Sequence, residues 1–173
     1  MKPNFNKILG DSLRITIDIA TEAVGNNPIY FKEVINLSLK SKSPTNMRAS
    51  RVIALVIDRF PNLFIPYTNK IAQLFSSFKT DGLKRSYAYA LSKNVKHLTE
   101  DNKADLIEVC FNYMLANEKV AVKYNCMKFL FGMTKIIPEL KGELQASIDF
   151  NVSEGTFRMN GEIKKIYKQI AKH

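Results

Sequence analysis

Arg85, Tyr89, Lys93 and Lys96 follow one another at spacings of four, four and three, so on a helix they stand on one face. A tyrosine among cations suits anion chemistry: the ring can stack a base while ammonium and guanidinium groups hold phosphates. A lysine-rich face turned to water accounts for the same residues. Upstream, Arg48, Arg51 and Arg59 extend the set of candidate anion or nucleic-acid contacts. The net charge is +10 and unevenly placed: residues 40–97 carry eleven cations against two acids, whereas residues 1–39 balance and residues 98–162 sum to −3. Such a zone draws nucleic acid, acidic protein or phosphate-bearing ligands.

Other chemistries find less support. Lys93, His97, Glu100 and Asp101 imitate an acid–base cluster, but a helix end followed by a Thr99-capped helix produces the same mixture. Cys110 and Cys126 lack the paired spacing of a zinc site and lie among apolar residues, as reduced core cysteines do. Two histidines, His97 and His173, are too few for a histidine metal site or a supported triad. Neither a Gly-rich phosphate loop nor a nucleophile elbow occurs. Phe129, Phe131 and Met133 have the character of core residues. No catalytic residue, cofactor or metal is therefore assigned, and enzymatic activity is not expected, though left open.

The elements that must carry these residues recur. Arg48-Ala-Ser-Arg-Val-Ile-Ala-Leu55, Lys84-Arg-Ser-Tyr-Ala-Tyr-Ala-Leu91 and Lys123-Tyr-Asn-Cys-Met-Lys-Phe-Leu130 each open on a cation and close on leucine, at offsets of 36 and 39, with a weaker copy from Arg158. A second series, Ile35, Ile71, Ile107 and Leu144, lies between them at offsets of 36, 36 and 37, each member within apolar residues at helical spacing. Two helices per repeat of this length predict an all-α fold, an α-solenoid of about four antiparallel helix pairs with a C-terminal closing helix. One domain over 1–173 is expected, with pairs near 4–40, 45–79, 82–116 and 119–150 and the closing helix over 156–172. Gly25-Asn-Asn-Pro28, Ser41-Lys-Ser-Pro44, Phe60-Pro61 and Ile137-Pro138 supply the breaks. The first helix, over 4–24, is expected to bury Ile8, Ile15 and Ile19. The closing helix sets Ile163, Ile166, Tyr167 and Ile170 opposite lysines, as a terminal repeat with a polar outer face requires. The recurring cations Arg48, Lys84, Lys123 and Arg158 stand near helix starts, where the macrodipole disfavours them. They call for partners in the neighbouring repeat or for a row of bound anions.

Pro44-Thr-Asn-Met-Arg-Ala-Ser-Arg-Val-Ile-Ala-Leu55 and its copy from Asp81 resemble the opening of HEAT-type repeats, in which a cation just inside the first helix precedes small residues that allow close packing. Lys119-Val-Ala-Val-Lys123 with the residues after it, and Ser153-Glu-Gly-Thr-Phe-Arg158, are similar to segments of small bacterial HEAT-like proteins. The resemblance covers residues 28–173 and implies a surface that binds other macromolecules. Bacterial DNA glycosylases built on HEAT-like repeats are also similar in helical pairing and basic charge. Their tryptophan-lined surfaces have no counterpart in a chain without tryptophan, so no residue role is carried over.

The expectation is a non-enzymatic, monomeric scaffold that binds another protein on an inner face built from the second helices, through Lys70, Gln73, Ser77, Glu108 and Asn112. The alternative is nucleic-acid binding through residues 40–97, with a HEAT-like DNA-repair enzyme behind it. No apolar run approaches the roughly 20 residues of a membrane span, the first residues lack a signal-peptide core, and a cytoplasmic protein is expected.

Overall fold

The computed structural model describes residues 2–10, 13 and 15–171. Residues 11, 12, 14 and 172, which fall within the helices expected over 4–24 and 156–172, lie outside this set, as does His173. The helices are α1 (Phe5–Gly10), α2 (Ile15–Val24), α3 (Pro28–Lys40), α4 (Thr45–Arg59), α5 (Thr68–Leu74), α6 (Asp81–Lys93), α7 (Glu100–Leu115), α8 (Val120–Met133), α9 (Leu140–Ser153) and α10 (Gly161–Ile170). A 3-10 segment, Pro61–Tyr67, leads into α5, and shorter ones follow α5 and α6. Among the described residues there is no strand, and no helix there is long and apolar enough to cross a membrane.

Local chemistry sets the helix ends. Gly25 takes a φ of 47° after α2, a left-handed turn that costs glycine nothing, and the Asn27 side chain then accepts from Ile29 and Tyr30 N–H to start α3. Thr80 and Thr99 accept in the same way from Leu83 and Asn102 N–H. Glu100 and Asp101 fill the first turn of α7, where the helix dipole favours anions.

The first helices, α2, α4, α6 and α8, form one row in which each packs along the next, while α3 lies along α4 and α7 along α8. Among the second helices, α5 meets α7 and α7 meets α9. Small residues permit the close approach in the first row. A Cβ added to Gly82 would come within 2.9 Å of the Met47 side chain, and Ser50 Oγ donates across the same junction to Gly82 O. Ala49, Ala88 and Ala90 are buried nearby. The core runs the length of the stack, through Phe31, Ile53, Ile71, Leu91, Leu106 and Phe129 to Ile163, Ile166 and Ile170. Tyr87, fully buried, stacks on Phe78 and hydrogen-bonds Ser38, joining α6 to α3, and burial pushes its phenol upward in pKa.

The N-terminal region corrects the sequence expectation. Leu13 is non-helical and lies between α1 and α2, so the single helix expected over 4–24 is two elements, the second of which carries Ile15 and Ile19. They are 59% and 48% exposed, and α2 instead buries Thr16, Ala20, Thr21 and Val24. The two threonines are tolerated inside because each hydroxyl donates to its own backbone, at Leu13 O and Ile17 O.

Candidate functional site

Three of the recurring cations are consumed by the scaffold. Arg48 Nη1 donates to Leu9 O and Gly10 O, each at 3.0 Å, and so caps the C-terminal carbonyls of α1. Lys84 pairs with Glu118 between α7 and α8, and its ammonium lies 4.7 Å from the Tyr113 ring centroid. Burial pulls the Lys84 pKa down, but the hydrogen bond and charge of Glu118 outweigh it and leave the ammonium raised. Lys123, buried in α8, donates to Asn151 Oδ1 at 2.9 Å, and Asn151 in turn donates to Met114 O and Ser147 O. Arg158, in the weaker copy, is exposed.

What remains along the first helices is an open groove of about 610 Å³. From α4 come Arg51, Ala54, Leu55 and Asp58, and from α8 Ala121, Tyr124, Asn125 and Lys128. Each set is spaced i, i+3, i+4, i+7, one face of a helix. Between them α6 supplies Arg85, Ser86 and Tyr89.

A chain of polar contacts crosses the groove. The Tyr89 hydroxyl donates to Asp58, the Lys93 and Lys128 ammonium groups lie over the Tyr89 ring at 5.3 and 5.4 Å, and Lys128 also lies 5.5 Å from the Tyr124 ring centroid. The Tyr124 hydroxyl donates to Glu162 at the start of α10, and Lys128 pairs with the same carboxylate at 3.4 Å. Burial, then the bond to Glu162, pushes the Tyr124 phenol up to about 12. Burial and Asp58 raise Tyr89, with Arg51 opposing. The Tyr124 hydrogen bond, aided by Lys128, holds Glu162 below the usual carboxylate range against its partial burial. Among the described residues, the Arg51 and Arg85 guanidinium groups make no hydrogen bond or ion pair.

A family model for the HEAT repeat domain matches residues 6–172. The chain belongs to the HEAT repeat domain family. No curated protein and no solved structure gives a match. The HEAT repeat assignment agrees with the all-helical stack, and HEAT repeats are in general protein-interaction scaffolds.

Within this HEAT repeat chain, the sequence-derived candidates separate. Arg51, Arg85 and Tyr89 line the groove, and Lys93 covers the Tyr89 ring. Arg48 is turned to α1, and Arg59 pairs with Glu22 on the surface. Lys96 does not share the α6 face: α6 ends at Lys93, Asn94 caps it, and Lys96 sits exposed in the next 3-10 turn, Val95–His97. Lys70 and Gln73 are exposed on α5, Ser77 just beyond it, and Glu108 and Asn112 on α7; among the described residues none of the five bonds another. Sequence reasoning passed over Asp58, Tyr124, Asn125, Lys128 and Glu162. Tyr124 and Lys128 had a signal, since they stand at the offset of 39 from Arg85 and Tyr89 that relates the second repeat copy to the third. A second cavity, of about 620 Å³ and lined by Phe5, Leu37 and Lys40, is crossed by the Lys2–Glu33 ion pair.

Proposed function

We propose that this chain is a non-enzymatic scaffold that docks another protein on the row of its first helices. The observation that carries the proposal is the groove, which crosses three successive helices and presents two arginines and two tyrosines. Those residue types dominate binding energy at protein interfaces, because they offer large contact area with a polar end. The groove walls are also set by packed helices, so little ordering entropy is lost on binding.

Nucleic acid fits the same surface less well. The Tyr89 ring is flanked by its own lysines and its hydroxyl is given to Asp58, which leaves it poorly placed to stack a base. Cations of the basic zone are also divided: Arg51 and Arg85 are on the first row, Lys70 is on α5 of the second, and Arg48 and Lys84 are held inside the scaffold.

A photo-cross-linking amino acid at Asn125, in the groove, or at Asn112, on the second-helix face, tests the proposal in native lysate. Cross-links to a protein from position 125 and not from 112 are expected. Cross-links from 112 alone would move the binding face to Lys70, Gln73, Ser77, Glu108 and Asn112, and none from either position would overturn the docking proposal.

A further inference from the structure

The groove has a charge pattern that selects among protein partners. Around it, most charged groups are already matched: Asp58 with the Tyr89 hydroxyl, Glu162 with the Tyr124 hydroxyl and Lys128, and Lys93 and Lys128 with the Tyr89 ring. Arg51 on α4 and Arg85 on α6 are the exceptions among the described lining residues. Both guanidinium groups are exposed, and they belong to adjacent helices on the same groove. A guanidinium fork matches a carboxylate with two parallel N–H donors, so an unoccupied pair of forks complements a ligand that brings carboxylates of its own.

The matched acids narrow the ligand further. Asp58 lines the groove one turn beyond Leu55 on α4, and Glu162 is held against the Tyr124 and Lys128 side. A long uniform polyanion laid across three helices would run close to one or both of these carboxylates. A short segment with carboxylates near its middle and apolar or neutral residues to either side meets the arginines without meeting the acids. Tyr89 and Tyr124 offer ring surface to the flanking residues.

We propose that the groove takes a short, carboxylate-rich segment of a partner protein, with its acidic side chains held by Arg51 and Arg85. The inference rests on the scaffold reading, and it adds the chemical class of the partner. Glu162 is then an internal competitor: it occupies Lys128 and Tyr124, which an acidic segment would otherwise reach, and α10 brings it there.

Fluorescence anisotropy of the full chain with labelled peptides tests it. The probes are a peptide with a central run of Asp and Glu between neutral residues, the same peptide with Asn and Gln in place of the acids, and a single-stranded and a duplex oligonucleotide. The acidic peptide should bind, and the amide peptide should bind at least about tenfold more weakly, the loss of a charge-assisted pair. Arg51→Gln/Arg85→Gln should remove that preference, whereas Glu162→Gln should strengthen binding of the acidic peptide. Salt should weaken the peptide complex modestly, because only two cations are engaged, while a duplex ligand held by many phosphates would lose affinity by orders of magnitude.

Equal binding of the two peptides, or an acidic preference that survives the double arginine variant, overturns the inference. Tighter binding of either oligonucleotide than of the acidic peptide overturns it in favour of nucleic acid. The outcomes also separate it from the scaffold reading: if a protein still cross-links from position 125 while the two peptides bind alike, the docking face stands and its acidic selectivity falls.

Discussion

Lys84 and Arg85 are neighbours in sequence, yet their replacement should have opposite consequences. Lys84→Met keeps the apolar stem and removes the ammonium, leaving Glu118 charged with a side chain only 13% exposed. Removing one partner from a fully buried ion pair costs about 3–5 kcal/mol, chiefly because the other charge stays desolvated. Residual solvent contact at both groups, 14% and 13%, discounts this to about 2–4 kcal/mol, including the lost ammonium–ring contact with Tyr113. For a chain of this length each kcal/mol moves Tm by roughly 2–4 °C, so a fall of about 5–15 °C is expected. Arg85→Met removes an exposed cation with no protein partner for its guanidinium and should stay within about 0.5 kcal/mol of the parent. Urea unfolding followed by far-UV circular dichroism, with thermal melts alongside, reads both variants. The double change Lys84→Met/Glu118→Leu removes both charges and should recover most of the loss. Lys84→Met no less stable than Arg85→Met, or a double variant no better than the single one, would refute the assignment of Lys84 to the scaffold.

Three further outcomes follow from the same contacts. Asn151→Ala strands the Lys123 ammonium and the Met114 carbonyl in the core, and should cost about 3 kcal/mol in urea unfolding, among the larger single-site effects. Glu162 has a lowered folded pKa, so the stability it contributes is complete above the ordinary glutamate range and is lost as pH falls through its own lower value. Protection of the α10 amides, taken relative to their intrinsic exchange rate at each pH, should therefore fall on acidification in the parent and change less in Glu162→Gln; equal acid response in the two would exclude this tie. Cys110 and Cys126 are buried, and burial pushes the Cys110 thiol well up, so both should resist iodoacetamide in the folded protein and react once urea unfolds it. Prompt labelling of the native protein would contradict that burial.

The stack was legible because packing repeats. Arg48, Lys84 and Lys123 recur with leucine seven residues on, and Ile35, Ile71 and Leu144 recur between them, because each pair of helices meets the same neighbours as the last. The first helix was misread for the converse reason. Ile8, Ile15 and Ile19 keep a helical spacing on paper, but Leu13 is non-helical and Ile15 and Ile19 are exposed, and spacing alone does not reveal where a chain breaks. The partners of the cations were equally hidden: Glu118 lies in a loop, and Asn151 on another helix, at separations of 34 and 28 residues. Lys96 shows a smaller error of the same kind, since a regular spacing carried past the Asn94 cap places it on a face that the helix no longer has.

The groove was only half legible because its residues follow a different rule from the core. Positions that recur are those each helix needs for stacking, and they absorb Arg48, Lys84 and Lys123 into hydrogen bonds and ion pairs. Arg85 and Tyr89 have Tyr124 and Lys128 at the matching places in the next copy, but Ala49 and Ile53, which occupy those places in α4, are buried. In α4 the outward stripe is instead Arg51, Leu55 and Asp58, so the groove combines two repeats that share a phase with one that does not. A surface assembled in that way is free of the packing constraint that fixes its neighbours. Variants at Arg51 and Arg85 should accordingly change binding at constant stability, while variants at Lys84, Lys123 and Asn151 should change stability first. If peptide affinity and urea midpoint instead moved together across all five positions, the division between a packing register and a binding stripe would be wrong.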